Sequence, residues 1–375
     1  MYGRRAALDE TENREILKAV RDPICSTRSG LSRFLFIFSI TPNVCLEPKV
    51  CARSAPFGGR SGLNKVGSLL RYPGGKAKLL KPILFELLRA DRRYEYREPF
   101  FGGGAVGLSY LAANPDAHKI WLNDKDPGIA SLWTAVMWYP DDLKDRIRGF
   151  QPTLEAFLEI RERLRSVKTM ATRRDEIVQV GFEKLAIHRM SYSGLGTMAG
   201  GPLGGRKPKS EEAIGSRWNP DRLCATVDAR HERLAVCDVR HASCTCLDFG
   251  QMIQDDSCPS VIYLDPPYYD KGNELYQHSF ARADHERLAK LLRTSKHRWV
   301  LSYDDCPEIR KLYGWANLQV IDVNYSITAC KNRETGKKVS RTKRELLILR
   351  DEVQVSGVSD RDRIHSPGEW VPTYF

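Results

Sequence analysis

The segment VIYLDPPYYD, Val261 to Asp270, joins four largely apolar residues to an acid, two prolines and two tyrosines. Read with the preceding residues as CPSVIYL, it is a continuous apolar run, the pattern of a central parallel strand covered on both faces. Its exit then presents Asp265, Pro266, Pro267 and Tyr268 at the carboxyl edge of the sheet, where open α/β sheets bind their ligands. The prolines stiffen that exit, because each fixes its own φ and restricts the residue before it.

Upstream, YEYREPFFGGGAVGLSYL (Tyr94 to Leu111) has the order strand, glycine loop, small-residue helix that nucleotide-type cofactors use. Gly102 and Gly104 supply a GxG, with Gly107 near the third position. About 20 residues further on, KIWLNDKDPGIASLW places Asp124 at the tip of a second strand, where an acid can accept both ribose hydroxyls. A still earlier stretch, LLRYPGGKAKLLKPILFELL, reads as a Gly74-Gly75 turn feeding a helix with Pro82 near its start. Lys76 and Lys78 then stand beside a helix N-terminus suited to an anion.

The chemistry that uses Asp265 to Tyr268 as a set is methylation of an exocyclic amine. The lone pair of an aromatic amino nitrogen is delocalised into its ring. Two acceptors, the Asp265 carboxylate and the Pro266 carbonyl, would favour a pyramidal nitrogen and aim its lone pair. Tyr268 would stack on the base, its face also open to a positive charge.

In this order, RYPGGK, EPFFGGGAVGL, LNDKD and DPPYY resemble the Dam-like DNA adenine N6-methyltransferases, from about Leu69 to Arg350. Weaker echoes are RMSYSGLGTMAGGPLGG, YQHSFARADHERLAKLL, WVLSYDDCPEIRKLY and SRTKRELLIL. The resemblance implies an α/β fold: a Rossmann-like sheet with helices on both faces, plus an inserted, mainly helical target-recognition domain. It implies S-adenosylmethionine as methyl donor and no metal. Tyr72 and Lys76 would contact its methionine end, Phe100, Gly102 and Gly104 would form the wall, and Asp124 would take the ribose. Asp248 would accept from the cofactor adenine and Phe249 would stack on it, with Asp238 as the competing acid. The implied partner is duplex DNA, with a cognate restriction endonuclease as a further candidate. The enzyme would be a monomer in the cytoplasm of a bacterial or phage-infected cell, with no membrane association.

Composition agrees with a polyanionic partner: 59 Lys and Arg against 47 acids give a net charge of +12. Ten cysteines occur without a CxxC pair, so structural thiols are expected rather than zinc. The domain reading is an extension over 1–66, a catalytic domain over 67–150 and 235–350, a target-recognition insertion over 151–234 and a tail over 351–375. FLFIFSI in the extension is too short to span a bilayer, and an over-called translation start is an alternative source of that segment. Helical periodicity in TLEAFLEIRERLRS and RRDEIVQVGFEKLAIHRM predicts a helical support for the Gly- and Ser-rich stretch from His188 to Leu223. Arg189, Tyr192, Arg206, Lys207, Lys209 and Arg217 are its candidate DNA contacts. KNRETGKKVSRTKRELLILR, with eight basic residues and two acids, reads as a basic hairpin whose second strand rejoins the sheet. Asp284 is expected to cap the helix that follows it, and His285 to be structural.

The base must leave the duplex to reach such a site. Direct transfer requires no nucleophile, and no Pro-Cys loop for attack on cytosine carbon is present. Alternatives are the same chemistry on RNA or a protein glutamine, an inactive nucleic-acid-binding relative, or, further off, a nicotinamide dehydrogenase.

Overall fold

Strand Ser260–Leu264 forms where the apolar run predicts it, and all five of its residues are buried. A computed structural model describes residues 69–70, 76–192, 194, 196–198, 201–205, 211–269, 280–325 and 341–350. The expectations for residues 1–66, Tyr72, the Gly74-Gly75 turn, Arg206, Lys207, Lys209 and the tail lie outside the described residues. All described residues belong to the unit that begins at Leu63.

Seven strands make one sheet: β1 Glu95–Glu98, β2 Lys119–Leu122, β3 Asp238–Val239, β4 Ser260–Leu264, β5 Arg298–Asp304, β6 Asn317–Tyr325 and β7 Arg341–Leu349. Their order is β3-β2-β1-β4-β5-β7-β6. All neighbours run parallel except β7, which is antiparallel to both β5 and β6. The chain builds outward from β1 to β3, then returns to β4 and builds the other way. The carboxyl ends of β1 and β4 are therefore adjacent at a switch point, where connections diverge and leave a crevice.

The helices are α1 Leu80–Leu87, α2 Ala105–Ala113, α3 Pro127–Trp138, α4 Pro140–Gly149, α5 Leu154–Ser166, α6 Arg174–Met190, α7 Glu211–Gly215, α8 Pro220–Leu234, α9 Phe249–Gln254, α10 Arg282–Thr294 and α11 Pro307–Leu312. Local chemistry starts several of them. Asp126 caps α3 by accepting from Gly128 and Ile129 N–H, and proline occupies the first turn of α3, α4, α8 and α11. Asp284 departs from its expected place: α10 begins earlier, so Asp284 stands three residues beyond the cap residue Ala281. Its carboxylate reaches back to the Ala281 N–H at 3.0 Å.

Strand alternation divides the core. Val261 and Tyr263 join a cluster with α3, α5, α6 and α8, whereas Ile262 and Leu264 join one with α9, α10 and α11. Residues 151–234 are mainly helical, and their helices share the first cluster. Gly181 of α6 lies against α3 so closely that a Cβ there would come within 2.7 Å of Leu132 Cα. No described helix is long and apolar enough to cross a membrane.

Candidate active site

The exit of β4 is built around Asp265. Its Oδ1 takes Lys76 Nζ at 2.7 Å and the Ser302 hydroxyl of β5 at 3.2 Å. Among the described residues both of these bonds fall on Oδ1. Burial pushes the Asp265 carboxyl above its ordinary range; Glu345 adds to this, and Lys76 and Ser302 oppose it. Lys76, itself 7% exposed, also sits 4.6 Å from the centre of the Tyr268 ring. The Tyr268 hydroxyl donates to Glu345 Oε2 at 2.6 Å, which ties the ring to β7. Pro266 is buried and Pro267 half-buried between these anchors. The resemblance led us to expect Lys76 on a cofactor; in this structure its ammonium faces Asp265.

Beside this lies the loop leaving β1. Gly102 (φ +48°) and Gly104 (φ +70°) occupy the left-handed region that favours glycine. Gly104 is enclosed as well: a Cβ would stand 2.8 Å from the Trp133 ring and 2.9 Å from that of Phe101. Asp124 braces the loop, with Oδ2 accepting the Gly102 N–H at 2.8 Å and Oδ1 the Asp126 N–H at 2.9 Å. Burial, then the charge of Asp126, pushes the Asp124 carboxyl up to about 7. Asn123 joins the neighbouring connections, donating to the Pro99 carbonyl at 3.0 Å and the Leu247 carbonyl at 3.2 Å.

Phe100 links this loop to α9, its ring centre 5.7 Å from that of Phe249. Asp248 caps α9 through the Gly250 N–H at 2.9 Å and pairs with both arms of Arg287 at 2.8 and 2.7 Å. The Arg287 guanidinium lies 4.0 Å over the Phe249 ring. Arg287 therefore engages both residues expected at a cofactor adenine, and its hydrogen bonds hold the Asp248 carboxyl below the usual range against burial. The competing acid, Asp238, pairs in register with Lys119 at the amino end of β2, the edge opposite Asp124.

The candidate DNA contacts are less gathered. Tyr192 is 71% exposed. Arg189 donates to the Leu69 carbonyl at 2.9 Å, and Arg217 to the Ser191 and Tyr192 carbonyls at 3.1 and 3.2 Å. Both guanidiniums thus hold backbone, a role that a count of basic residues does not foresee. His285 is buried, bonded to the Tyr303 hydroxyl at 2.6 Å, and burial lowers its pKa to about 4.

Sequence reading missed Glu98, Ser302, Glu345 and Arg287. Glu98 ends β1 fully buried, accepts the Tyr96 hydroxyl at 2.7 Å, and is pushed well above the ordinary carboxylate range by burial. Glu345 had a usable signal, since it is an acid placed where a basic run turns into an apolar strand.

Acids from four elements or their exits act on one another about the switch point: Asp124 and Asp265, both half-buried, and Glu98 and Glu345, both buried. The crevice there has a flat aromatic on each flank, Tyr268 and Phe100. Such a site suits a ligand carrying positive charge and planar rings. A family model described as D12 class N6 adenine-specific DNA methyltransferase matches residues 72–327. Curated proteins named DNA adenine methylase, from two strains of Vibrio cholerae serotype O1, are each 25% identical to the chain over 300 residues. The alignments cover 76% of this chain and 97% of each relative.

Proposed function

The chain belongs to the D12 class N6 adenine-specific DNA methyltransferases, and from that premise we propose that it methylates N6 of an adenine flipped out of duplex DNA, at a discrete target sequence, with S-adenosylmethionine as donor. The observation that carries this reading is Asp265 at the exit of β4. Lys76 and Ser302 both bind its Oδ1, and Oδ2 would accept a proton of the substrate amine.

The acidic crevice fits the donor, whose sulfonium and ammonium are both cationic; when bound, the donor supplies an electrophilic methyl group. Asp124, still able to accept through its remaining lone pairs, would hold the ribose hydroxyls. Phe100 would line the wall with Gly102 and Gly104. Asp248 and Phe249 would hold the donor's adenine once Arg287 yields part of their surface.

At the reacting end, Tyr268 stacks on the flipped base, with its ring held by Glu345. Asp265 Oδ2 and the Pro266 carbonyl accept the two amino hydrogens and direct the nitrogen lone pair toward the methyl group. As the N–C bond forms and the S–C bond breaks, positive charge passes from sulfur to nitrogen. A carboxylate beside that nitrogen then interacts more strongly with the transition state than with the ground state. The extra amino proton leaves to water. Lys76 opposes the effect of burial on Asp265 and so favours the carboxylate that acts as acceptor. Tyr192, Arg189, Arg217 and the basic residues Arg206, Lys207 and Lys209 form the surface proposed to meet the duplex, within a recognition segment spanning 151–234.

Expression in a host without adenine methylation, followed by mass spectrometry of the DNA nucleosides, tests the reading. N6-methyladenine should accumulate with the intact protein and be absent with Asp265→Ala. N4-methylcytosine in its place would overturn the base assignment.

A further inference from the structure

Lys184 lies in the middle of α6 and is 3% exposed. An ammonium so placed is costly without a counter-charge. Its Nζ contacts Asp126 Oδ2. Asp126 uses Oδ1 to cap α3, with Gly128 N–H at 2.8 Å and Ile129 N–H at 3.2 Å, while its own N–H donates to Asp124 Oδ1 at 2.9 Å. The second oxygen of Asp124 takes the Gly102 N–H. A continuous chain of bonds therefore runs from α6 to the glycine loop.

The helix has little room to slide. Gly181 meets the backbone of Leu132, and a Cβ at Gly128 would stand 2.8 Å from Lys184 Cδ. α6 ends at Met190, directly before the Ser191 and Tyr192 carbonyls that Arg217 grips.

Among the described residues, acids outnumber cations around Asp124. Glu98 from β1, Asp126 from the same connection and the thiols of Cys244 and Cys246 face it; the Asp126 and Gly102 N–H groups draw its pKa down, and Lys184 is the cation that adds to them. Burial raises both thiols, Cys246 to about 11, so neither carries charge near neutrality. Lys125, the next residue along, acts on Cys246 and Asp248.

We propose that Lys184 is a positioning residue for the cofactor ribose: acting through Asp126, it fixes Asp124 in the crevice and supplies the positive charge that lets a buried Asp124 serve as a carboxylate. The recognition segment thereby contributes to cofactor affinity without touching the cofactor. This rests on the reading that Asp124 takes the ribose hydroxyls.

Calorimetric titration of the full chain with S-adenosylhomocysteine between pH 6 and 8.5 tests it. Wild-type binding should tighten as pH rises through about 7, where Asp124 ionises. Lys184→Met should move that rise upward by about one unit, giving about tenfold weaker binding at pH 6.5 and less than about twofold at pH 8.5. A loss equal at every pH would reduce Lys184 to a packing role and overturn the proposal. Asp124→Asn should abolish the pH dependence; if it binds as wild type does, the ribose reading itself falls. Should Lys184→Met fail to fold, Asp126→Asn keeps the cap but leaves the Lys184 charge uncompensated. Its rise should move to lower pH, and an unmoved or higher midpoint would overturn the proposal.

Discussion

Glu95 and Glu98 stand at opposite ends of the same buried strand and meet opposite electrostatic conditions. Glu95 is clasped by Arg97 at 2.6 Å and by Arg240 at 2.7 Å. Arg97 continues to the Met252 and Asp255 carbonyls at 2.7 and 2.6 Å, and both guanidiniums face the Trp121 ring. Burial raises Asp255, yet Ser257, Arg97 and Arg240 still hold it below the usual carboxylate range. At the other edge Glu98, Asp124 and Asp265 are all pushed up, with Lys76 and Lys184 as the cations that act on them. Among the described residues, the amino edge meets its acids with its own arginines, whereas the acids of the carboxyl edge meet fewer cations. A closed network stabilises a fold, whereas an uncompensated one is arranged for a ligand that brings the missing charge.

The sharpest way to break this contrast is to remove one charged side chain from each edge's machinery, Asp265 from one and Arg97 from the other, and compare what is lost. Asp265→Ala should cut kcat by about 10³-fold or more, close to 4 kcal/mol of transition-state stabilisation. The variant also strips the buried Lys76 of this counter-ion, so its melting temperature should fall as well, and kcat is compared per folded molecule. A large loss of melting temperature with activity preserved per folded molecule would reverse the assignment.

Arg97→Met should do the opposite. It leaves Glu95 with Arg240 alone and strands two carbonyls, so unfolding free energy should fall by about 3 kcal/mol, the lower end for breaking a buried pair. Urea denaturation reads this, and kcat of the remaining folded enzyme should be unchanged.

Asp124 extends the comparison to pH. Its carboxyl is raised from 3.8 to about 7 on folding. Between those values the folded state binds more protons than the unfolded one, so stability falls as pH rises through that window and levels above it. The ligand-free protein should lose about 3 kcal/mol from pH 4.5 to 7.5, most of the full linkage value. Asp124→Asn should flatten that slope, as denaturant midpoints across the window would register.

The smallest effect belongs to the Tyr268 tether. Tyr268→Phe keeps the stacking face and loses the bond to Glu345, so kcat should drop about tenfold with KM for DNA little changed. Glu345→Gln in that background should add almost nothing, because the tether is already cut. Additive losses would show that Glu345 acts by another route.

What was legible in the sequence was local. The β4 run, the glycine loop and Asp265 to Tyr268 each declare themselves within a few residues, since apolar continuity, positive φ and proline stiffness need no distant partner. β1 was harder: EYRE carries three charges, yet all four residues are buried, because Arg240 and Asp255 arrive from elsewhere in the fold. Glu345 became part of the site only because β7 lies antiparallel beside β5, a pairing that local patterning does not specify. Arg189 and Arg217 read as phosphate contacts by composition; that their guanidiniums also hold backbone carbonyls depends on loop conformation rather than residue type.

The central claim is tested most directly by giving the purified chain labelled S-adenosylmethionine together with unmethylated plasmid DNA, RNA and protein, alongside Asp265→Ala. Label should enter the DNA alone, as N6-methyladenine at one short sequence, and disappear with the variant. Label in RNA or protein while the DNA stays unlabelled, or transfer that survives the loss of Asp265, would contradict it.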